Sequence, residues 1–495
     1  MHAYAQGLRL SRAGRHLEAI ACFEEALLLK PDDPATLFAL GNTAQALGLN
    51  RPAAEFFGRV LAQEPGRIEA LVNLANLLRL EGRFDAARAL LEPWVARHPD
   101  NPDLLLTLGS TWRESGDYER AEQCYRAALG VCPGFAAALS NLADLLADDG
   151  DFGTARTLYD RALKASGGDP QIRLNRAILH FLAGNLKDGW RDYAARALVR
   201  GKVPICDLKL PEWRGEPLKP QARLLVRAEQ GIGDQLMFMS VLPDLLAQGQ
   251  VILECDPRLV GLAARSFPSA LVRPQSLSSI KGAVHAEYGW LKSMGGATNV
   301  CLVGSLPRWL RRNLDAFPKD HVFLKSEPAE RARWETVFAG QGPRPRIGLC
   351  WRSGKSGGHR SAQYAPLSAW GEFLRTLDGT LVCCQYGASE EEIAHLEALS
   401  GRRILVPAGL DQKQELDRTA AMLAALDVLA SAPTAVAWLG AGLGIPTLKL
   451  LHDKSWTTFG QAYEPFAPSC RCVMPGTRGD WNDVFARARA IIAQL

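Results

Sequence analysis

Residues 428–448, VLASAPTAVAWLGAGLGIPTL, carry no charge, and their turn chemistry divides them into short pieces. VLAS reads as a buried strand, and Pro433 and Thr434 start a helix. That helix ends among Gly440, Gly442 and Gly444, and Pro446 opens the next strand. A helix that starts at the end of a strand turns its free N–H groups and positive dipole end towards whatever lies beyond the sheet. Pro433, Thr434 and Ala435 therefore form an anion site. A membrane helix of this length rarely carries two prolines and three glycines so placed. Two other glycine patterns carry less. GLCWRSGKS, residues 348–356, places five residues between Gly348 and Gly354 where a P-loop has four, and that register sets the phosphate nest. GAGLG, residues 440–444, is expected to let a helix pack closely on a sheet.

An anion site of this kind needs strands that end beside it. ARLLVRA reads as a buried strand from residue 222, EQGIGD as a tight loop, QLMFMSVLPDLL as a helix and QVILECD as a second strand. A second β-α-β start follows at RPRIGLCW, with a helix near 367–376 and the strand TLVCCQYG. The helix EEEIAHLEAL, the strand RILVP and a helix from Glu415 to Asp427 come next. Two doubly wound half-domains, 222–340 and 341–495, are expected, with ligands at the C-terminal ends of their strands in the cleft between them. Residues 201–221 hold the proline- and glycine-rich PEWRGEPLKPQ and read as a linker.

The first 200 residues are organised differently. Prolines recur at Pro31, Pro65, Pro99 and Pro133, and glycines at Gly14, Gly48, Gly82, Gly116, Gly150 and Gly184, always 34 residues apart. A small residue follows five positions after each glycine, from Ala19 to Gly189, and aromatics recur nine after at Phe23, Phe57, Tyr125, Tyr159 and Tyr193. This pattern resembles the tetratricopeptide repeat, an α superhelix of about six helix pairs here. Asn42, Asn73, Asn76, Asn141, Asp144 and Asn175 fall on the groove-facing side of the first helices. Asparagine is a poor helix former, so its return on one face has either a recognition role or the meaning of a solvated surface.

Composition excludes several classes. Charged residues are 22% and hydrophobic residues 47%, and the net charge of +4 is small for 495 residues, so no nucleic-acid partner is expected. Neither a signal peptide nor a membrane-inserted segment is read, and the expected location is cytoplasmic. The eleven cysteines contain no C-x-x-C pair and suit reduced thiols, with no metal site.

From PEWRGEPL through EQGIGDQ, GLCWRSG, CCQYG and DVLASAPTAVAWLGAGLGIP, the carboxyl half resembles GT-B glycosyltransferases related to heptosyltransferases and O-GlcNAc transferase. With the repeats it looks most like bacterial tetratricopeptide-repeat transferases that modify flagellin with nonulosonic acids such as pseudaminic acid. The resemblance implies inverting, metal-independent transfer from a nucleotide sugar, with a CMP-linked donor, to Ser or Thr of a client held in the repeat groove. It makes Asp234 the matching general base, with Glu229 as its competitor and helix capping as the structural alternative for Asp234. The donor phosphate would be met by Thr434 and its neighbours together with Arg352, Ser353 and Lys355, reinforced by His359 and Arg360. An exposed polar loop is the other reading of Arg352 and Lys355. Gln230, Gly231, Gly233, Tyr386 and Gly387 would touch the nucleoside or sugar, and Trp456, Thr457 and Phe459 would wall the sugar pocket. The asparagines resemble the ladder by which O-GlcNAc transferase repeats hold an acceptor backbone. In the heptosyltransferase pattern the fourth residue after the threonine is histidine; here it is Trp438, which speaks against an ADP-heptose donor. Two other functions fit the same fold: a repeat scaffold with a degenerate catalytic domain, and transfer to a small carbohydrate or lipid.

Overall fold

The computed structural model describes residues 2–229, 231–280, 282–354 and 363–494. The chain forms two compact units, one ending at Ile172 and the other beginning at Arg173.

The first unit contains five helix pairs, from His2–Arg12 with His16–Leu29 to Ala136–Asp149 with Phe152–Ala165. The glycine at each turn adopts a positive φ, between 73° at Gly14 and 94° at Gly150, the left-handed cap that only glycine takes without penalty. In three of the pairs the aromatic on the second helix meets a glycine gap on the first. A β-carbon on Gly7, Gly41 or Gly109 would lie 2.5, 2.6 or 2.8 Å from the ring of Phe23, Phe57 or Tyr125, respectively. Where the partner is the smaller Leu91, the facing position is Ala75, and both are fully buried. Burial of each such side chain stabilises the stack by about 1.5–3 kcal/mol.

The sixth pair, Pro170–Leu182 and Leu186–Tyr193, falls almost entirely in the second unit, because the boundary cuts its first helix. The repeat pattern continues to residue 200, but compactness changes at residue 173. Phe181, Trp190 and Tyr193 of this pair build an aromatic cluster with Trp456, Phe459 and Phe466, with ring centroids 4.4 to 6.3 Å apart. The rings account for the early boundary.

The second unit carries two parallel sheets. Its first half contains β1 (Arg223–Arg227), β2 (Gln250–Cys255), β3 (Leu271–Pro274), a hairpin of β4 (Leu277–Ile280) and β5 (Ala283–Ala286), and β6 (Asn299–Leu302). The sheet order is β3-β2-β1-β6. Its second half contains β7 (Arg346–Cys350), β8 (Thr380–Cys383), β9 (Ile404–Leu405), β10 (Val428–Ser431), β11 (Thr447–Leu450) and β12 (Cys470–Val473). That sheet runs β12-β11-β10-β7-β8-β9. Strand order reverses between β1 and β6 in one half and between β7 and β10 in the other, and crevices open at such switch points. Every residue of β7, β8, β10 and β11 is buried, as parallel strands covered on both faces require.

Residues 201–221 are more than a linker. Trp213 N–H donates to the Val300 carbonyl (2.9 Å) and Val300 N–H to the Pro211 carbonyl (3.0 Å), so PEWRG lies along the open edge of β6. Proline suits an edge, where one side of the backbone needs no ladder partner. In GAGLG, β-carbons on Gly440 and Gly442 would lie 2.6 Å from Leu429 and Leu324, the close packing expected of that spacing.

Candidate functional site

In the second half the loops leaving β7, β8 and β10 come together. Ala432 N–H donates to the Cys350 carbonyl (2.7 Å), which brings the SAPT turn beside the loop leaving β7. Thr434 is the N-cap of helix Ala435–Gly442, yet its side chain makes no capping hydrogen bond. Its hydroxyl lies instead 3.5 Å from Cys350 Sγ and 3.4 Å from Ser431 Oγ. The amides of the first helical turn are therefore not satisfied by their own cap, which leaves donors for an anion. Pro433 and Ala435 flank Thr434 and are half-buried.

Gln385 shapes the facing loop. Its side-chain oxygen accepts from Trp351 N–H (3.0 Å) and Arg352 N–H (2.8 Å), while its amide donates to the Tyr386 carbonyl (2.9 Å). Tyr386 Oη accepts from Gly354 N–H (2.9 Å). Arg352 donates from Nε and Nη2 to Glu392 (2.6 and 2.5 Å) and from Nη2 to the Gly387 carbonyl (2.9 Å). Glu392 also closes a capping box with Ser389. Hydrogen bonding to Glu392 raises the Arg352 pKa, and hydrogen bonding to Arg352 lowers that of Glu392. Arg352 is thus a braced cation already paired with Glu392, not part of a loose exposed loop. Ser353 is half-buried on the same loop, and Gly387 is exposed with a φ of 63°. Lys355, His359, Arg360 and Gln230 lie outside the described residues.

The first half supplies the opposing wall. Helix Ile232–Met239 starts from Gly231, so Gly233 and Asp234 occupy its first turn. A β-carbon on Gly233 would lie 3.5 Å from Trp438 Cδ1, 3.6 Å from Ala435 Cα and 3.7 Å from Ala435 N. EQGIGD and SAPTAV therefore meet, each at the start of a helix. Asp234 is the third residue of the helix after its N-cap Gly231, so it is not itself the capping residue. Burial raises its pKa, the nearby Glu229 charge adds to the rise, and the Gly231 amide and neighbouring cations offset it in part. A carboxylate with a raised pKa is a better proton acceptor, which suits a general base.

Glu229 does not compete for that role. It is buried in a two-pronged ion pair with Arg196, with Nε–Oε2 at 2.8 Å and Nη2–Oε1 at 2.7 Å, and Oε1 also accepts from Gly304 N–H (2.8 Å). Both oxygens are committed, so it anchors the loop. The reading of Trp456, Thr457 and Phe459 as a sugar wall is likewise corrected. Trp456 stacks on Phe181 (5.3 Å), and Phe459 is buried among Phe181, Trp190, Phe317 and Phe466. Thr457 donates to Glu464 (2.8 Å), the buried partner of Lys449. These three side chains serve packing. Trp438 stands closer to the helix starts, with Lys449 Nζ 4.7 Å from its ring centroid and Gly233 near its Cδ1.

In the repeat unit the polar ladder is partly tied up. Asn73 Nδ2 donates to Asn42 Oδ1 (3.0 Å), and Asn141 Nδ2 to Ser110 Oγ (3.2 Å), each pair 31 residues apart. Asn76 accepts from Arg79 (3.1 Å). Asp144 accepts from the Tyr159 hydroxyl and lies beside Arg113, so it is a structural acid rather than an open contact. Asn175 is half-buried on the second unit's first helix. Ser110 and Arg79 were not foreseen; Ser110 holds the position 34 residues after Asn76.

Protein FlbA of Caulobacter vibrioides is 30% identical over 484 residues, covering 96% of this chain and 81% of FlbA. The chain belongs to the FlbA family. Two tetratricopeptide-repeat models match it, one at residues 4–68, 106–170 and 140–202 and the other at 50–110. A probable biofilm formation methyltransferase, WspC of Pseudomonas aeruginosa, is 35% identical over 82 residues, 17% of this chain and 19% of WspC. A thermophilic tetratricopeptide-repeat protein of Thermus thermophilus is 26% identical with a TM-score of 0.32, covering 36% of this chain and 97% of that one. In this FlbA-family chain, no helix among the described residues is long and apolar enough to cross a membrane.

Proposed function

We propose that the chain is a protein O-glycosyltransferase of GT-B type, in which the α/β unit binds a nucleotide sugar and the repeats recruit the client. The observation that carries this reading is the meeting of two helix starts: Gly233 faces the Ala435 amide, with Asp234 on one side and the uncapped first-turn amides of Ala435–Gly442 on the other. Asp234 takes the proton of a Ser or Thr hydroxyl, whose oxygen attacks the anomeric carbon. The bond from that carbon to the phosphate oxygen breaks, and the nucleotide leaves with the electron pair. Its charge is met by the helix N-terminus and the Gln385-organised loop rather than by a metal bridge. No D-x-D sequence follows residue 200, in keeping with metal-independent transfer.

The donor in this proposal is a CMP-linked nonulosonic acid such as pseudaminic acid, and the client is flagellin, in the cytoplasm. Both assignments rest on the sequence resemblance. Repeat arrays bind protein partners, and the asparagine face offers amides to a client backbone. A thermal-shift panel of CMP, UDP, GDP and ADP tests the donor, since a ligand that binds only the folded state stabilises it. Stabilisation by CMP alone supports the proposal. A preference for ADP overturns the donor assignment, and no response to any nucleotide overturns the transferase. Intact-mass analysis of flagellin co-expressed with the wild type and with Asp234→Asn then tests the client.

A further inference from the structure

The switch point of the first sheet, between β1 and β6, is the place where an α/β half would hold a ligand. Here it is filled from within. The Arg196 guanidinium reaches from the end of the sixth repeat to grip Glu229, and Gly304 closes over the pair. A β-carbon on Gly304 would lie 2.8 Å from Glu229 Oε1 and 3.1 Å from Arg196 Nη2. Beside this plug is a cavity of about 370 Å³ lined by Trp190, Arg196, Arg214, Ser305, Arg308 and Trp309, together with Glu212.

The lining is built to donate hydrogen bonds. Ser305 Oγ accepts from Arg196 Nη2 at 2.8 Å, so its own proton is left to donate, and no acceptor for it exists among the described residues. The Arg308 guanidinium stacks over the Trp309 ring, 4.8 Å from its centroid, and has no ion pair among the described residues. Stacking uses the face of a guanidinium and leaves its edge N–H groups for an oxyanion. Arg214 has only Glu212, 4.0 Å away with both side chains largely exposed, to answer its charge. Next to it Gly215, with a φ of 87°, lets the PEWRG turn press onto Trp309, 3.0 Å from where a β-carbon would stand. Two arginines with unused donors, a hydroxyl with a free proton and an indole wall thus converge on a volume of small-ligand size.

We infer that this cavity binds a small oxyanion carried on a ring, a sugar carboxylate or a sugar phosphate, at a site separate from the cleft between the two halves. The arginines and Ser305 take the oxyanion, and the ring occupies the rest of the cavity. Calorimetric titration of the full chain with glucuronate, glucose 1-phosphate and uncharged glucose tests the inference and tells the two oxyanion sources apart. At least one anion is expected to bind while glucose does not. Arg308→Gln and Arg214→Gln should each weaken that binding about tenfold or more, as removal of a charged hydrogen bond does. Asp234→Asn, in the other site, should leave it unchanged. Both glutamine variants keep an amide at an accessible position, and a melting curve like that of the wild type verifies their fold. The inference is overturned if neither anion binds, if glucose binds equally well, if both arginine variants bind like the wild type, or if Asp234→Asn abolishes binding.

Discussion

Gly233 stands against Ala435 so closely that a β-carbon on it would lie 3.7 Å from the Ala435 nitrogen. One carbon fits at that distance and a larger side chain does not. Gly233→Ala should retain nucleotide-induced stabilisation, whereas Gly233→Phe should abolish it while the repeats stay helical. Thermal shift read beside circular dichroism checks both, and nucleotide binding by the phenylalanine variant would place the donor elsewhere.

Asp234 carries a stability cost with a defined sign. Its pKa is raised on folding, so the folded chain holds the proton more tightly than the unfolded chain does. The cost is absent below the ordinary carboxylate range, grows as pH rises towards the folded pKa, and is fully present above it. Asp234→Asn should therefore melt higher than the wild type at neutral pH, with the gap closing in acid. Transfer should fall by about 10²–10⁴-fold, the usual worth of a general base.

Arg196 and Glu229 form a buried pair in which each answers the other's charge. Removing one partner leaves an unpaired buried group, so Arg196→Met or Glu229→Gln should each cost about 3–5 kcal/mol. The double variant should cost less than the two single losses added together. Urea unfolding of the second unit's tryptophans measures this.

Gln385 supports two successive backbone amides through one oxygen. Gln385→Ala should cost about 1–3 kcal/mol, the penalty of buried donors left unmade. It should also weaken donor binding while leaving Asp234 chemistry intact at saturation. Hydrogen exchange at Trp351 and Arg352 reports the first effect, and the split between KM and kcat reports the second.

Asn73 and Asn141 each lend one hydrogen bond to the preceding repeat. Asn73→Ala and Asn141→Ala should lower stability by no more than about 1 kcal/mol. Client capture should fall further than that loss explains. Full glycosylation by the Asn73→Ala, Asn141→Ala double variant would remove the groove from client recognition.

The repeats were legible because a single period of 34 sets turn, contact and helix end together, so each repeat reinforces the others. The Thr434 helix start was legible because proline and glycine mark their own boundaries. Arg196 was not, since its partner lies 33 residues away and nothing near it in sequence signals a buried guanidinium. The strands between residues 271 and 302 are short and half-exposed, so neither alternation nor a long apolar run announces them. Trp456 and Phe459 read as a sugar wall because aromatic rings suit both a ligand and a core; only the position of Phe181 decided between the two. Glu392 was readable as the last residue of an S-x-x-E box, but its grip on Arg352 depends on a strand 40 residues earlier.

The compact boundary at Ile172 and Arg173 has a consequence for how such chains diversify. The α/β unit keeps the sixth helix pair for itself and has its own aromatic seal on it. Insertions or deletions of whole 34-residue modules upstream would leave that seal untouched. The repeat array can then lengthen or shorten across descendants by duplication of whole modules while the α/β unit keeps its core unchanged.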